Sequence, residues 1–533
     1  MAFATARSLA LKGADGHVID VQVDVSPGLP TTTIIGRVDK GLSEARDRVR
    51  MAINNDCGRW PATKRVTILL APADLPKGGT HYDLAIAVAV LAADKQQQDL
   101  LPEHLEGWAF VGELSVSGGL RPVPGVLPMV IAAAAHGLER VFVPEPQAAE
   151  AALVPGMTVF GVRSLAQVAA VLRGVEVPEA DPVAAPSASP LATWRGDDRL
   201  DHLDLRDLDG LDDVRYAVEV AAAGAHPLML IGPRGTGKTS IAERIPTILP
   251  DLSTEQALEV TALHSVAGIL PEGSGLLRRP PWFAPHHSAT AASVLGGGTG
   301  RVRPGQVSLA HHGVLFLDEF PHFRSDVIEA MRQPLESGEV SIARGDESAT
   351  YPARSLVVLA ANPCPCGNFH GTSGGACECS EVQRVHYRRK LTGPILDRVD
   401  IWMEVRSQAG RRGSFGPGPE SSADVRARVA DARERQARRF RHCPWLLNAS
   451  CPGPVLAEHW PLEPDGQHAI DVELSDGRLT RRGLTRVQRL AWTVADLAGV
   501  ARPGEPEAAI ALALRSDDAS RPVPTRAVPV AAS

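Results

Sequence analysis

The chain has 533 residues, 44% of them hydrophobic, which is enough for about three domains with cores of their own. Its net charge of −7 excludes a protein that is basic throughout, so nucleic-acid contact, if any, must come from local patches. No apolar run reaches membrane-spanning length, the N-terminus lacks a basic region followed by an apolar one, and four of the seven cysteines lie close together. The expectation is a cytoplasmic, multidomain α/β protein with no membrane partner, whose cysteines serve metal or thiol chemistry in a reducing compartment rather than disulfides.

Residues 17–25 alternate apolar and polar side chains as a half-buried strand does. Residues 39–54 have helical periodicity, with Leu42, Ala45, Val49 and Ala52 on one face. Strands are predicted at 66–70, 110–116, 140–143 and 159–162, and a helix at 82–93. A first domain therefore covers 1–174. The Pro/Ala/Ser-rich stretch after it is read as a linker, 175–195.

A helix at 211–223 leads into the apolar strand 227–231, and then comes Gly232, Pro233, Arg234, Gly235, Thr236, Gly237, Lys238, Thr239 and Ser240. This is the phosphate-loop spacing G-x-x-x-x-G-K-T between a strand and a helix. Glycines let backbone N–H groups turn inward around phosphate oxygens, and the helix N-terminus adds positive potential. Lys238 is expected to reach the β/γ-phosphates of ATP and the Thr239 hydroxyl to ligate Mg²⁺. The apolar strand 314–317 ends in Asp318 and Glu319. These fit the second half of such a site, Asp318 holding Mg²⁺ through water and Glu319 polarising the attacking water.

Between these motifs lies a long insert containing His286, His287 and the triple glycine 296–298. The histidines lack a carboxylate at helical spacing and read as structural rather than as metal ligands. Residues 336–354 read as a β-hairpin carrying Arg344, which suits either a phosphate contact or a solvated turn. Strand 355–361 then ends in Asn362, an amide placed to orient a water or sense the γ-phosphate, as the first sensor does in AAA+ proteins. Cys364, Cys366, Cys377 and Cys379 form a C-x-C…C-x-C pattern in which each pair can pinch one ion. They hold a structural Zn²⁺ or pack as reduced thiols; the pattern is tighter than the commoner C-x₂₋₄-C spacing. Arg398 lies in a segment, 394–400, similar to the box that carries the AAA+ arginine finger. Such a finger completes a neighbour's site and implies a homo-hexameric ring.

The core is thus read as 196–406, a Gly/Pro/Ser-rich linker as 407–422, a helical lid as 423–515, and 516–533 as a disordered tail. An arginine-rich helix at 421–440 opens the lid and reads as a solvated face, or alternatively as a DNA-tracking one.

Taken together the motifs resemble the Mg-chelatase-like ComM/YifB family over about residues 1–500. Segments 23–30, 71–77, 112–119 and 125–132 are similar to that family's Lon-protease-type domain. Where the active protease has its Ser and Lys, this chain has His81 and Pro128, so the domain is expected to be proteolytically inactive and to serve as scaffold or substrate contact. The insert and the hairpin resemble the helix-2 insert and pre-sensor hairpin of Mg-chelatase ATPases and MCM-type helicases. By the same resemblance Arg482 is the second sensor, with Arg486 one helical turn on, while Trp492 replaces a further arginine. The family implies an α/β fold with a Lon-like N-terminal domain, an AAA+ core and a lid. It also implies an ATP-driven hexamer acting on DNA as a branch-migration helicase in recombination and natural transformation. The alternative is an ATPase subunit of a Mg-chelatase-type complex, although the chain lacks the D-x-S-x-S metal site of chelatase partners.

Overall fold

The computed structural model describes residues 3–36, 40–73, 75, 77–94, 100–184, 202–271, 273–298, 302–344, 347–369, 377–390, 395–406 and 419–516. Parts of both expected linkers and the tail from 517 lie outside the described residues.

The N-terminal part is built on a seven-stranded sheet. Its strands are β1 (Phe3–Lys12), β2 (Asp15–Ser26), β3 (Thr31–Ile35), β4 (Arg65–Ala71), β5 (Trp108–Phe110), β6 (Arg140–Pro144) and β7 (Thr158–Val162). They lie in the order β3-β4-β2-β1-β5-β6-β7. Helices α1 (Ala45–Ala52), α2 (Asp83–Ala93), α3 (Val126–Ala135) and α4 (Leu165–Arg173) accompany it. All 11 residues of α2 are buried, which explains why it is apolar all round rather than striped. Its first residue, Asp83, accepts two bonds from the Arg48 guanidinium, at 2.9 and 3.0 Å. Burial pushes Asp83 up to about 6 even so.

The strand predicted at 110–116 is shorter than expected. It ends at Phe110, and Glu113–Leu114 instead pairs antiparallel with Leu120–Arg121 in a small hairpin. The cause is local: Gly112 N–H turns to His81 O at 3.1 Å, and Gly118 takes a positive φ of 91°.

The second part is a five-stranded sheet. In chain order it contains helix α5 (Asp212–Gly224), β8 (Leu228–Ile231), α6 (Lys238–Ile248), α7 (Thr254–Ala267), β9 (Trp282–Phe283) and β10 (Val314–Leu317). The hairpin β11 (Glu339–Arg344) and β12 (Glu347–Pro352) comes next, then β13 (Leu356–Ala361), α8 (Glu381–Lys390) and β14 (Ile401–Glu404). The sheet order is β9-β10-β13-β8-β14, and every pairing is parallel. Both faces are covered, so β8 and β13 read as continuous apolar runs. Leu228 and Leu230 belong to the core on one face, and Met229 to the core on the other.

The C-terminal helices are α9 (Ser422–Arg439), α10 (Gly453–His459), α11 (Pro464–Ser475), α12 (Arg481–Ala498) and α13 (Glu505–Arg515). They share one core with the sheet, since Val429, Leu490, Trp492 and Ala508 pack in the cluster that holds Leu230, Phe316 and Ile401. The arginines of α9 are accordingly not a solvated face. Arg428 pairs with Glu219 at 2.7 Å, Arg433 donates to Ala222 O at 2.7 Å, and Arg439 binds Asp496. Burial pulls Arg433 down to about 10. The heads of Arg426, Arg428, Arg433, Arg435 and Arg439 each take a partner on another element, whereas Arg438 stays exposed and pairs with Glu434 on its own helix.

The N-terminal part docks on the second. Ala262 of α7 is buried with Val126, Val130 and Ala133 of α3, and Ser265 Oγ donates to Glu150. The β1–β2 turn needs glycine twice over: Gly13 has φ 66°, and a Cβ there would lie 2.7 Å from Thr350 O in β12.

A buried polar network joins sheet and C-terminal helices. His226 bridges Asp400 Oδ2 at 2.8 Å and Thr493 Oγ1 at 2.7 Å, and Arg486 pairs with the other Asp400 oxygen. Burial alone would raise the Asp400 carboxyl, but His226 and the nearby Arg486 and Arg489 hold it down at about 2. Removing one member of a buried pair costs about 3–5 kcal/mol, so Asp400→Asn should lower the unfolding free energy by that amount, read by urea titration. Because the folded carboxyl titrates below its ordinary value, this contribution is present above about pH 4 and disappears as pH falls through about 2. The variant should show no corresponding loss.

Candidate nucleotide site

Parallel register places three strand ends side by side: Ile231 lies opposite Ala361, and Leu317 opposite Leu359. The residues just past each strand are therefore the ones that meet a ligand at the C-terminal edge of the sheet. After β8 the loop turns through Gly235 and Gly237, with φ of 77° and 85°, into α6. The Lys238 ammonium donates to Gly232 O at 2.7 Å, Pro233 O at 2.9 Å and Asn362 Oδ1 at 3.1 Å. Burial lowers its pKa, opposed by the negative charges of Asp318 and Glu319. Thr239 Oγ1 donates to Asp318 Oδ2 at 2.9 Å, and Asp318 Oδ1 accepts from Glu319 N–H at 2.8 Å.

These residues fit Mg²⁺. A hydroxyl and a carboxylate oxygen 2.9 Å apart are hard donors, spaced like neighbouring corners of an octahedron with bonds of about 2.0–2.1 Å. Glu319 sits at a positive φ of 51°, a conformation a non-glycine residue keeps only where its surroundings impose it. Its Oε2 lies 3.4 Å from His287 Nδ1. The carboxylate partner that sequence spacing did not supply for the histidines thus comes from across the fold.

Of the predicted residues, Lys238, Thr239, Asp318, Glu319 and Asn362 come together here. Arg398 and Arg482 meet elsewhere. Arg398 pairs with Glu336, and burial lowers its pKa, reinforced by the nearby Arg482, Arg332 and Arg486. Arg486 donates to Arg398 O at 2.8 Å and to Asp400, so it anchors the segment that carries Arg398, whereas Arg482 is exposed. The Arg344 side chain lies outside the described residues; its strand pairs with β12 as the predicted hairpin does. Tyr387 of α8 is a neighbour that no motif announced. Burial pushes it up to about 12, and Glu319 and Arg234 are close enough to act on it.

The four predicted cysteines converge. Cys364 Sγ lies 3.3 Å from Cys366 Sγ and 3.7 Å from Cys377 Sγ, and all four sulfurs are within 4.8 Å of one another. A tetrahedral ion with Zn–S bonds of about 2.3 Å needs sulfurs roughly 3.8 Å apart, so the set fits Zn²⁺. Backbone N–H groups of Cys366 and Phe369 donate to Cys379 Sγ and Cys364 Sγ, both at 3.3 Å, as suits thiolates. The cluster also touches the phosphate loop, because a Cβ on Gly367 would lie 2.8 Å from Arg234 Cγ.

A second group, Glu259, His311 and His312, has ligand-like spacing but a different chemistry. His311 Nδ1 accepts from Arg354 N–H at 3.0 Å, so its own proton sits on Nε2 and points to Glu259 Oε2 at 3.1 Å. A metal at Nε2 would need that nitrogen's lone pair. The group is a hydrogen-bonded clamp from α7 to the segments entering β10 and β13.

His81 is buried with Nε2 2.8 Å from Leu9 O, and Pro128 lies in the first turn of α3.

A parallel sheet with phosphate loop, acidic strand end and amide strand end is the architecture of a phosphate-loop ATPase of the AAA+ class. The family model described as magnesium chelatase, subunit ChlI matches residues 204–412. Those for subunit ChlI of Mg-chelatase and for the subunit ChlI C-terminal region match 21–147 and 419–515. A Mycobacterium tuberculosis protein is 45% identical over 98% of this chain and 100% of its own length. YifB of Salmonella typhimurium is 39% identical over 93% of this chain and 94% of its own. The competence protein ComM of Haemophilus influenzae is 37% identical over 97% and 98%. The chain belongs to the ComM/YifB family of Mg-chelatase-like proteins. Among the described residues no helix is long and apolar enough to cross a membrane.

The entry to the phosphate loop is sterically closed to larger residues, since a Cβ on Gly232 would lie 2.3 Å from Val405 O. Gly232→Ala should therefore lower stability by about 1–3 kcal/mol, measured by thermal unfolding beside Gly275→Ala, where nothing lies within 4 Å.

Proposed function

We propose that this chain is an ATP-hydrolysing ring motor that moves DNA, a branch-migration helicase serving recombination and natural transformation. The observation that carries the ATPase reading is the meeting of Lys238, Thr239, Asp318 and Asn362 at one sheet edge. Lys238 and the loop N–H groups hold the β/γ-phosphates. Thr239 and Asp318 hold Mg²⁺, which supplies charge neutralisation on those phosphates. Glu319 takes the proton of the attacking water, and Asn362 orients that water. Competence as the setting is supported by the ComM relative, and DNA by family membership together with the hairpin. Residues 1–174 form an inactive Lon-like platform, 196–406 the AAA+ core and 423–515 the lid, in a cytoplasmic homo-hexamer. In that ring Arg398 reaches a neighbour's γ-phosphate, with Arg482 as second sensor and Arg344 facing the strand in the pore.

Lys238→Ala should abolish ATP binding, whereas Glu319→Gln should keep it and stall turnover; wild-type turnover by the latter would sink the assignment. Mixing Arg398→Ala with Lys238→Ala subunits should restore some hydrolysis, because some interfaces then pair an intact loop with an intact finger. ATP-driven strand displacement on forked and three-stranded DNA tests the motor itself. Robust ATPase without displacement would favour the chelatase-subunit reading.

The cysteine cluster holds one structural Zn²⁺ per chain, stapling the exit of β13 to Arg234. Elemental analysis of tag-free protein should find one zinc per chain, and none in Cys377→Ser/Cys379→Ser. Chelation should make the segment around 363–385 protease-sensitive while leaving the N-terminal sheet intact. Substoichiometric zinc in fresh wild type would mean that the thiols only pack.

A further inference from the structure

His287 comes after β9, with two strands between β9 and the strand that leads into the phosphate loop, in the insert between the two nucleotide motifs. The turn that carries it is pinned on both sides. His286 Nδ1 accepts from Ser288 N–H at 3.3 Å and lies 2.7 Å from Ser288 Oγ, and Ala289 N–H donates to His286 O at 2.8 Å. Thr290 Oγ1 then caps the short helix Ala291–Val294 by accepting from Ser293 N–H at 3.2 Å. The His286 and His287 rings are tilted at 35° with centroids 4.1 Å apart, and the His322 ring stands 6.0 Å from that of His287. The turn is thus ordered before any ligand arrives, and it leaves His287 Nδ1 at ion-pair distance from Glu319 Oε2, 3.4 Å away.

Among the described residues Glu319 makes no other ion pair. Its backbone is fixed by the Asp318 carboxylate and by its left-handed φ, but its side chain is 43% exposed. Lys238 and Tyr387 are close enough to feel the Glu319 charge, and His322 lies beside His287. Asp318 is occupied with Thr239 and Lys238 with carbonyls and Asn362.

We propose that His287 is the positioning residue for the catalytic carboxylate: its Nδ1–H holds Glu319 Oε2 so that Oε1 faces the attacking water. This rests on the ATPase reading above. In the step it serves, the water oxygen bonds to the γ-phosphorus while the bond from that phosphorus to the bridging oxygen breaks. The bridging oxygen leaves with the electron pair, and the water proton goes to Glu319 Oε1, from which it returns to solvent. His287 neither gains nor loses a proton in this step. Its turn runs on through the Ala291–Val294 helix into the Gly296–Gly297 strand, so a shift of that strand has a covalent route to His287.

The test is steady-state ATP hydrolysis and nucleotide affinity for wild type, His287→Ala and His287→Asn, the asparagine keeping an N–H donor near the Nδ1 position. His287→Ala should lower kcat about 10- to 100-fold, the usual cost of losing an orienting partner, with KM and nucleotide Kd within about twofold, as expected when only the transition state is affected. His287→Asn should recover at least about a third of wild-type kcat by the same reasoning. Combined with Glu319→Gln, His287→Ala should add no further loss, since both act through one carboxylate. The inference is overturned if His287→Ala matches wild type, if it loses nucleotide affinity in proportion to rate, or if His287→Asn is as impaired as alanine. A wild type that hydrolyses no ATP would overturn the ATPase reading and this inference with it; an active wild type with an equally active alanine variant overturns this inference alone.

Discussion

Asp400 is the interaction on which the arrangement of the sheet, the Arg398 segment and the C-terminal helices turns. It is a buried carboxylate at the start of β14, and it stays ionised only because His226 comes from the β8 side and Arg486 from α12. Arg486 reaches past it to the carbonyl of Arg398, so the same contact fixes the segment that carries the expected arginine finger. Buried ion pairs contribute little net stability, yet losing one partner is expensive. Such a joint therefore transmits position well: if α12 moves, Asp400 and Arg398 have to move with it or leave a charge unpaired.

The nucleotide site is poised by a similar balance of burial against charge. Lys238 is desolvated and turned onto main-chain carbonyls and Asn362, contacts that a phosphate would replace. Asp318 meanwhile spends one oxygen on Thr239 and the other on the backbone of Glu319. The polar groups have taken one another as partners, which is how a site rich in buried charge avoids unsatisfied atoms. The cysteine cluster lies beside this balance, because Gly367 packs on the Arg234 stem.

Coupling between the N-terminal part and this site has two physical routes. One is α7, whose apolar face packs on α3 while Glu259 on the same helix clamps His311 and His312 ahead of β10. The other is the approach of the Gly13 turn to Thr350 in the hairpin. Either way, the N-terminal part remains mechanically attached to the strands that hold Asp318 and Asn362.

The sequence by itself determined the parts whose physics is local. A phosphate loop needs glycines at positive φ and a lysine at a helix start, and both are visible in spacing alone. The strands ending in Asp318, Glu319 and Asn362 were legible because parallel strands buried on both faces are short apolar runs. The paired C-x-C motifs were legible for the same reason of locality, each pair lying two residues apart. What only the tertiary structure decided are partnerships across distant elements. His287 found its carboxylate 32 residues on, in Glu319, and Asp400 found His226 and Arg486 on separate elements. The arginines of α9 turned out to be tethers to Glu219, Ala222 and Asp496, although their spacing is that of an exposed face. Periodicity reports which side of an element is apolar. It carries no information about which buried charge on another element will satisfy a given polar group, because that depends on how the elements cross.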